Sequence, residues 1–465
     1  MGFVLSVLYF VTYYLTPATL FGPLEVYRIE LILAVLLLLV SVPALMKSFV
    51  LKTPQSLAMV GLMFAVILSV LIAVHWAGGA VTAFLEFIPN AFAFFMVCLH
   101  CNSKKKLQVL VLMLLFVCMF VIAHGVIDLR HGGVASGPPV SAATGEIDFD
   151  LWNMHYPYLL LMADGEGGWI YRIRGLGEIN DPNDFGQLLV CLIPLMFIFW
   201  RTKNSFRNLV LVIFPVGLLL WGVFLTHSRG ALVALMAVAV VAARRRSGSL
   251  PALLIGGGLF VAAMALNFTG GRAISASSGE DRTALWGESL QLLKSHPLFG
   301  VGFGQLTDYL GHTSHNSVAV CAAELGMFGL FFWCLFLFPT VRDILVIASP
   351  TKVSEGRQIE PERGLFPAAA RKIETLDKAE VNHLGRLLLL SFTGFLVAGW
   401  FLSRSFVLTF FLLGGMAEVV FEIALRQGMV APRMRLGRAL PYAGLVAVGL
   451  ILLMYIMLRI VNLTH

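Results

Sequence analysis

Charge is scarce in this chain. Only 13% of its 465 residues are Asp, Glu, Lys or Arg, while 58% are hydrophobic and mean hydropathy is +0.87. That excludes a soluble domain and points to a polytopic membrane protein. Cysteine is equally sparse: five of the six (Cys98, Cys118, Cys191, Cys321, Cys334) fall within apolar runs, which argues against a disulfide framework. Cys98-Leu-His-Cys101 has the spacing of a metal or redox pair, but it lacks a second pair and does not follow the haem-attachment order. The acids of the outward loops (Glu178, Asp181, Asp184, Glu280, Asp281) form no H-E-x-x-H, D-x-D or paired-histidine spacing, so neither a metal nor another cofactor is expected. No internal repeat is visible, which weakens a transporter reading. Met1-Gly2-Phe3-Val4-Leu5-Ser6 fits the myristoylation pattern, yet it runs straight into a hydrophobic segment. That segment has no basic n-region and no small-residue cleavage signal, so it reads as a retained first helix.

What the chain has in plenty is apolar runs of bilayer length, at about 3–20, 29–46, 57–75, 81–99, 107–126, 184–200, 208–226, 229–243, 251–267, 317–339, 386–402, 405–424 and 440–460. The expected fold is therefore an all-α polytopic membrane protein with about 12–13 transmembrane helices and a large, partly helical outer loop. Lys47/Lys52, Lys104-Lys105-Lys106, Arg201/Lys203/Arg207, Arg244-Arg245-Arg246 and Arg433/Arg435/Arg438 follow the even-numbered spans and mark the cytoplasmic side. The net charge of +7 is explained by these flanks beside anionic lipid, without nucleic acid. The chain divides into N-terminal spans (1–126), a first outer loop (127–183), central spans (184–267), a second outer loop (268–316), one span (317–339), a cytoplasmic loop of mixed charge (340–385) and C-terminal spans (386–465).

The polar chemistry lies in the outward connections. The first outer loop has a Gly/Pro/Ser-rich start, then Trp152, Tyr156, Tyr158, Trp169, Tyr171 and Arg172-Ile-Arg174-Gly175. Its aromatics fit an interface belt or a stack for sugar rings. Asp181-Pro182-Asn183 is a turn into a helix, and Asn183 is a candidate ligand residue. In the second loop, Ser277/Ser278 are candidate caps of a helix that starts near Glu280 and stops before Pro297. Arg282 stands one turn before Trp286 on its apolar stripe, where an arginine either grips a ligand or snorkels. Gly300-Val-Gly302-Phe-Gly304 resembles a nucleotide loop only superficially, since no strand-helix-strand unit surrounds it. His315 stands at a helix start, where the macrodipole disfavours imidazolium; it reads as a base or as a cap. Arg229, after Ser228, opens another span, and His227 beside it is either a second base or an interface histidine. Glu324, about 13 Å further along the helix from His315, is an intramembrane acid that either functions or pairs with a neighbouring donor to fix packing.

His315-Asn316, nine residues, Gly326, two residues, Gly329 is the best single match to the signature of the O-antigen ligase family, which this chain resembles over about residues 165–340. Arg174-Gly175 with Asp181-Pro182-Asn183, Ser228-Arg229-Gly230, and Arg282 with Trp286 resemble that family's earlier motifs. The resemblance implies a GT-C-like glycosyltransferase of the bacterial inner membrane, active on the periplasmic side. Its donor would be a glycan linked through pyrophosphate to undecaprenol, and its acceptor a glycan or lipid-glycan hydroxyl. On this reading Arg229 and Arg282 stabilise the departing pyrophosphate and His315 activates the acceptor. Arg174, Asn183, Trp286 and Asn316 bind substrate. Transfer would be metal-independent and inverting, of ligase or surface-polysaccharide polymerase type, with a protein O-oligosaccharyltransferase less favoured. Two other classes stand beside it: a transporter or flippase for lipid-linked glycans, and a structural component of an envelope machine.

Overall fold

Apolar runs as long as a bilayer is thick leave the backbone few ways to satisfy its N–H and C=O groups, and this chain takes the helical one. A computed structural model describes residues 1–20, 27–47, 53–133, 149–163, 169–265, 276–349 and 375–463. Each of the thirteen apolar runs holds a helix among its described residues, and the protein is a multi-pass, all-α membrane protein. Ten helices among the described residues are long and apolar enough to cross a membrane. The other three fall short for visible reasons. Gly2–Leu15 and Ser249–Ala262 are apolar but shorter, and Arg229–Ser247 carries an arginine at its first position and three in its last turn. Among the described residues the sheet is confined to one antiparallel hairpin in the first outer loop, Leu159–Ala163 paired with Trp169–Ile173.

Leu408–Arg426 is the central helix. Of its apolar stretch 94% is buried, against 11% for Ile29–Met46 and 17% for Leu436–Ile460, which lie at the rim with apolar faces left for lipid. Around Phe410, the rings of Trp333, Phe336, Phe392, Phe395 and Phe411 have centroids 5.0–5.9 Å away, an edge and offset packing that favours one arrangement of these helices. Pro54–Ala73 packs along Ser317–Ala348, and Lys378–Gly399 contacts both Pro182–Leu195 and Arg229–Ser247. Polar side chains collect at the two ends of this bundle. One end holds Gln55 with Asp343, Lys104 with Glu380, and Arg433 with Glu418 and Glu422. The other holds the residues of the outward loops.

The helix from Ser317 to Ala348 runs past the expected end at 339, and at about 48 Å it exceeds a roughly 30 Å hydrocarbon core. It is broken at Gly326, whose φ of 64° and ψ of −166° belong to glycine. The break frees backbone groups, and residues 297–302 take them up. Val301 and Gly302 donate to the carbonyls of Ala323 and Glu324 at 2.9 and 3.0 Å, while Met327 and Phe328 donate to those of Pro297 and Leu298 at 2.8 and 3.1 Å. A Cβ on Gly300 would stand 2.4 Å from the Ala323 oxygen, and one on Gly326 2.4 Å from the Leu298 oxygen. Gly300-Val-Gly302-Phe-Gly304 is thus a strap that completes a broken helix. The preceding helix is Ala276–Ser295. It starts earlier than expected, so Ser277 and Ser278 lie inside it instead of capping it. The short helix expected around 367–380 lies mostly outside the described residues; the helix Lys378–Gly399 begins with Asp377 and Glu380 forming a capping box.

Candidate active site

The site is built on helix starts. The first N–H groups of a helix have no partner within it, and at Ser317–Ala348 Asn316 supplies one. Its Oδ1 accepts from Val318 N at 2.9 Å and Ala319 N at 3.0 Å, and its Nδ2 donates to the Trp400 carbonyl at 3.0 Å. Asn316 is fully buried, so its side chain holds the loop and presents no face to a cavity. Expected from the sequence as a substrate-binding residue, it is placed here as a bracket.

His315 precedes this cap with φ of 51°, a left-handed conformation uncommon for histidine. Its N–H donates to Ser403 Oγ at 2.8 Å, which stabilises the turn. The imidazole is half-buried, and its pKa lies below the ordinary histidine value. Burial is the first cause, the Arg282 guanidinium the second; Asp181 opposes them and His312 adds to them. Sequence reasoning assigned this to the helix macrodipole, whereas the geometry supplies desolvation and a nearby cation. The ring is thereby kept as a neutral acceptor of protons at neutral pH.

Arg282 is delivered by Ala276–Ser295, docked through Trp286. The indole N–H donates to the Ser314 carbonyl at 2.9 Å, its ring meets Trp400 edge-on at 6.1 Å, and Ser289 Oγ lies 2.5 Å from Ser314 Oγ. Trp286 is only 6% exposed, so it too acts as a brace. One turn earlier on the same face, Arg282 has its pKa lowered by burial and then by Arg229. Among the described residues no carboxylate forms an ion pair with Arg282. Two guanidinium groups close enough to repel, with an electroneutral imidazole beside them, make a place that favours an anion.

Arg229 is the first residue of Arg229–Ser247, where Ser228 Oγ accepts from Ala231 N at 3.2 Å. The turn before it is held by a residue the sequence did not single out. Arg172, only 2% exposed, donates through Nε to the Thr226 carbonyl at 2.8 Å and through Nη2 to Asn183 Oδ1 at 2.9 Å. This one side chain ties the hairpin to two helix starts. Asn183 spends its oxygen on it, while Asp181 Oδ1 accepts from Asn183 N at 2.7 Å to cap Pro182–Leu195. Arg174 turns back into its own loop, donating to the Pro157 carbonyl at 3.1 Å and to Asn153 Oδ1 at 2.7 Å. Burial lowers its pKa, and Asp181 acts against that.

Arg404 completes the group and was also missed. It forms an ion pair with Asp184, and its N–H donates to Ser317 Oγ at 3.1 Å. Ser405 Oγ donates to the Ser317 carbonyl at 2.5 Å, stitching residues 403–405 to the His315 helix. Glu178 caps the Leu408 N–H at 2.8 Å, and burial pushes its carboxyl up to about 7. The available signal for Arg404 was its position: a basic residue in a short outward turn between two apolar runs. Arg229, Arg282, His315 and Asp181 come together from four separate helices, three of them at the helix start and Arg282 in the second turn, with Asn183, Trp286 and Asn316 around them as braces and Arg174 at the edge.

No curated protein matches the chain. Residues 214–334 match the family model described as O-antigen ligase, a segment that includes Arg229, Arg282, Trp286, His315 and the Gly326 break but not Arg174, Asn183 or Arg404. The match makes this segment similar to the O-antigen ligase family and supports glycan transfer of ligase or polymerase type.

Proposed function

We propose that this protein, at the periplasmic face of a bacterial inner membrane, transfers or polymerises a glycan from an undecaprenyl-pyrophosphate-linked donor onto an acceptor hydroxyl of another glycan or lipid-glycan. The observation that carries this reading is the meeting of Arg229 and Arg282 beside His315, with the histidine pKa lowered and the two cations repelling each other. A pyrophosphate relieves that repulsion.

In the reaction the acceptor hydroxyl gives its proton to His315 as its oxygen bonds to the anomeric carbon. The bond from that carbon to the pyrophosphate oxygen breaks at the same time, which inverts the centre. Arg229 and Arg282 hold the charge that develops on the leaving oxygen, stabilising the transition state where charge appears. Pyrophosphate is a good leaving group, so no strong general acid is needed. The two guanidinium groups take the electrostatic role a divalent cation would have, which makes the transfer metal-independent. Arg174 and Asn183 border the donor's path, while Trp286 and Asn316 keep Arg282 and His315 in place.

The test is reconstitution in proteoliposomes with lipid-linked glycan and surface glycan from the same host, in the presence of a chelator. Glycan transfer by the wild type and its loss in Arg229→Ala and Arg282→Ala, at equal membrane yield, are expected. A wild type that only moves the lipid-linked glycan across the bilayer would contradict the reading in favour of a flippase.

A further inference from the structure

Beside the His315 end of the broken helix lies a cavity of ≈ 170 Å³ that the transfer chemistry above does not use. Thr313 and Ser403 line it nearest His315, Glu324 and Val320 along the helix, and Arg404 and Phe406 on the facing side. One lining residue, Ser403, accepts the backbone N–H of His315 at 2.8 Å, which sets the cavity next to the turn that carries the candidate base.

Glu324 gives this cavity its character. The side chain is 7% exposed, one turn from Val320 on the same helix face, with the backbone N–H groups of Gly304 and Leu306 near its carboxyl. A carboxylate has about four lone-pair sites, more than these two N–H groups can fill. Among the described residues no basic side chain is paired with it, so the neighbouring-helix donor that would fix packing is not there and acceptor capacity is left on a cavity wall. Arg404, fixed by Asp184, offers guanidinium N–H groups from the other side. Phe303 and Phe406, whose rings stand 5.5 Å apart, add an apolar surface.

A few fixed polar groups on an otherwise apolar wall are how pockets orient small polar ligands. The buried acid disfavours a pyrophosphate here, and the charged groups disfavour a lipid chain. A pyranose ring fits both demands, with hydroxyls that donate to Glu324 and accept from Arg404 and a C–H face for the phenylalanines. We propose that this cavity is the subsite for the acceptor's terminal sugar, placing one of its hydroxyls against His315. The proposal rests on the reading of the chain as a glycan transferase and adds where the acceptor binds.

The experiment is steady-state transfer in the same proteoliposomes, with donor and host surface glycan varied separately. Thr307 is exposed on the short Leu306–Leu310 helix at the cavity rim, so Thr307→Trp fills the space without touching the core. Glu324→Gln keeps shape and removes the charge. Both variants are expected to raise the acceptor KM about tenfold or more, as loss of a hydrogen bond to a charged group does, and to leave the donor KM unchanged. An unchanged acceptor KM in Thr307→Trp, or a change in donor KM instead, overturns the subsite while the transferase reading stands. Absence of transfer by the wild type removes both.

Discussion

The indole N–H of Trp286 donates to the carbonyl of Ser314 at 2.9 Å, and this bond sets the helix that carries Arg282 against the residue next to His315. Trp286→Phe keeps an aromatic side chain but loses the donor and part of the ring volume, leaving a buried carbonyl unsatisfied at about 1–3 kcal/mol. Transfer should fall about tenfold, in kcat more than in KM, with a lower Tm. Unchanged kcat in a stable Trp286→Phe protein would show that the brace has no part in catalysis.

Arg282 and Asp181 act on His315 with opposite signs. The base works deprotonated, so the transfer rate falls as pH drops through its pKa, and the acid limb of the wild type should lie below the usual histidine value of about 6.5. Removing the cation in Arg282→Gln raises that pKa, moving the limb to higher pH in the residual activity. Asp181→Asn moves it to lower pH. A pH-rate profile of the three proteins checks both directions, and shifts of the same sign would exclude His315 as the titrating group.

Arg282→Lys keeps the charge but not the planar fork. Paired with Arg229 on a diphosphate, a guanidinium donates two parallel hydrogen bonds that an ammonium cannot reproduce. Transfer should drop by about a hundredfold or more, the range seen when a transition-state donor is lost. Full activity in this variant would rule out a bidentate clamp.

At Gly326, φ of 64° and ψ of −166° combine with a Leu298 carbonyl 2.4 Å from where a Cβ would stand. Gly326→Ala should therefore cost several kcal/mol, from strain of about 1–3 kcal/mol plus the clash. Low membrane yield and a reduced Tm are expected, measured by detergent-solubilised thermal unfolding. Wild-type stability would mean that the strap can yield there.

Much of this arrangement was legible in the sequence because its signals are local. Apolar runs gave thirteen helices, and the polar outward connections singled out His315, Arg282 and Arg229, which the structure brings within electrostatic reach of one another. What was not legible depends on partners far apart in the chain. Arg404 meets Asp184 across 220 residues, and nothing near either announces the other. Arg172 on the strand and Arg174 just past its end lie two residues apart, and only the fold decides that Arg172 reaches Thr226 and Asn183 while Arg174 turns to Asn153. Asn316 sits in the best-matched motif, yet its amide is used within the protein. The glycines of residues 300–304 made sense only once the helix break at Gly326 showed what they approach.

The central claim is that His315 takes the acceptor's proton beside two arginines that hold the pyrophosphate. Single-turnover glycan transfer by His315→Ala, with donor binding measured on the same protein, tests it most directly. The account predicts transfer slowed by about 10²–10⁴-fold with donor affinity retained, and transfer at the wild-type rate would contradict it.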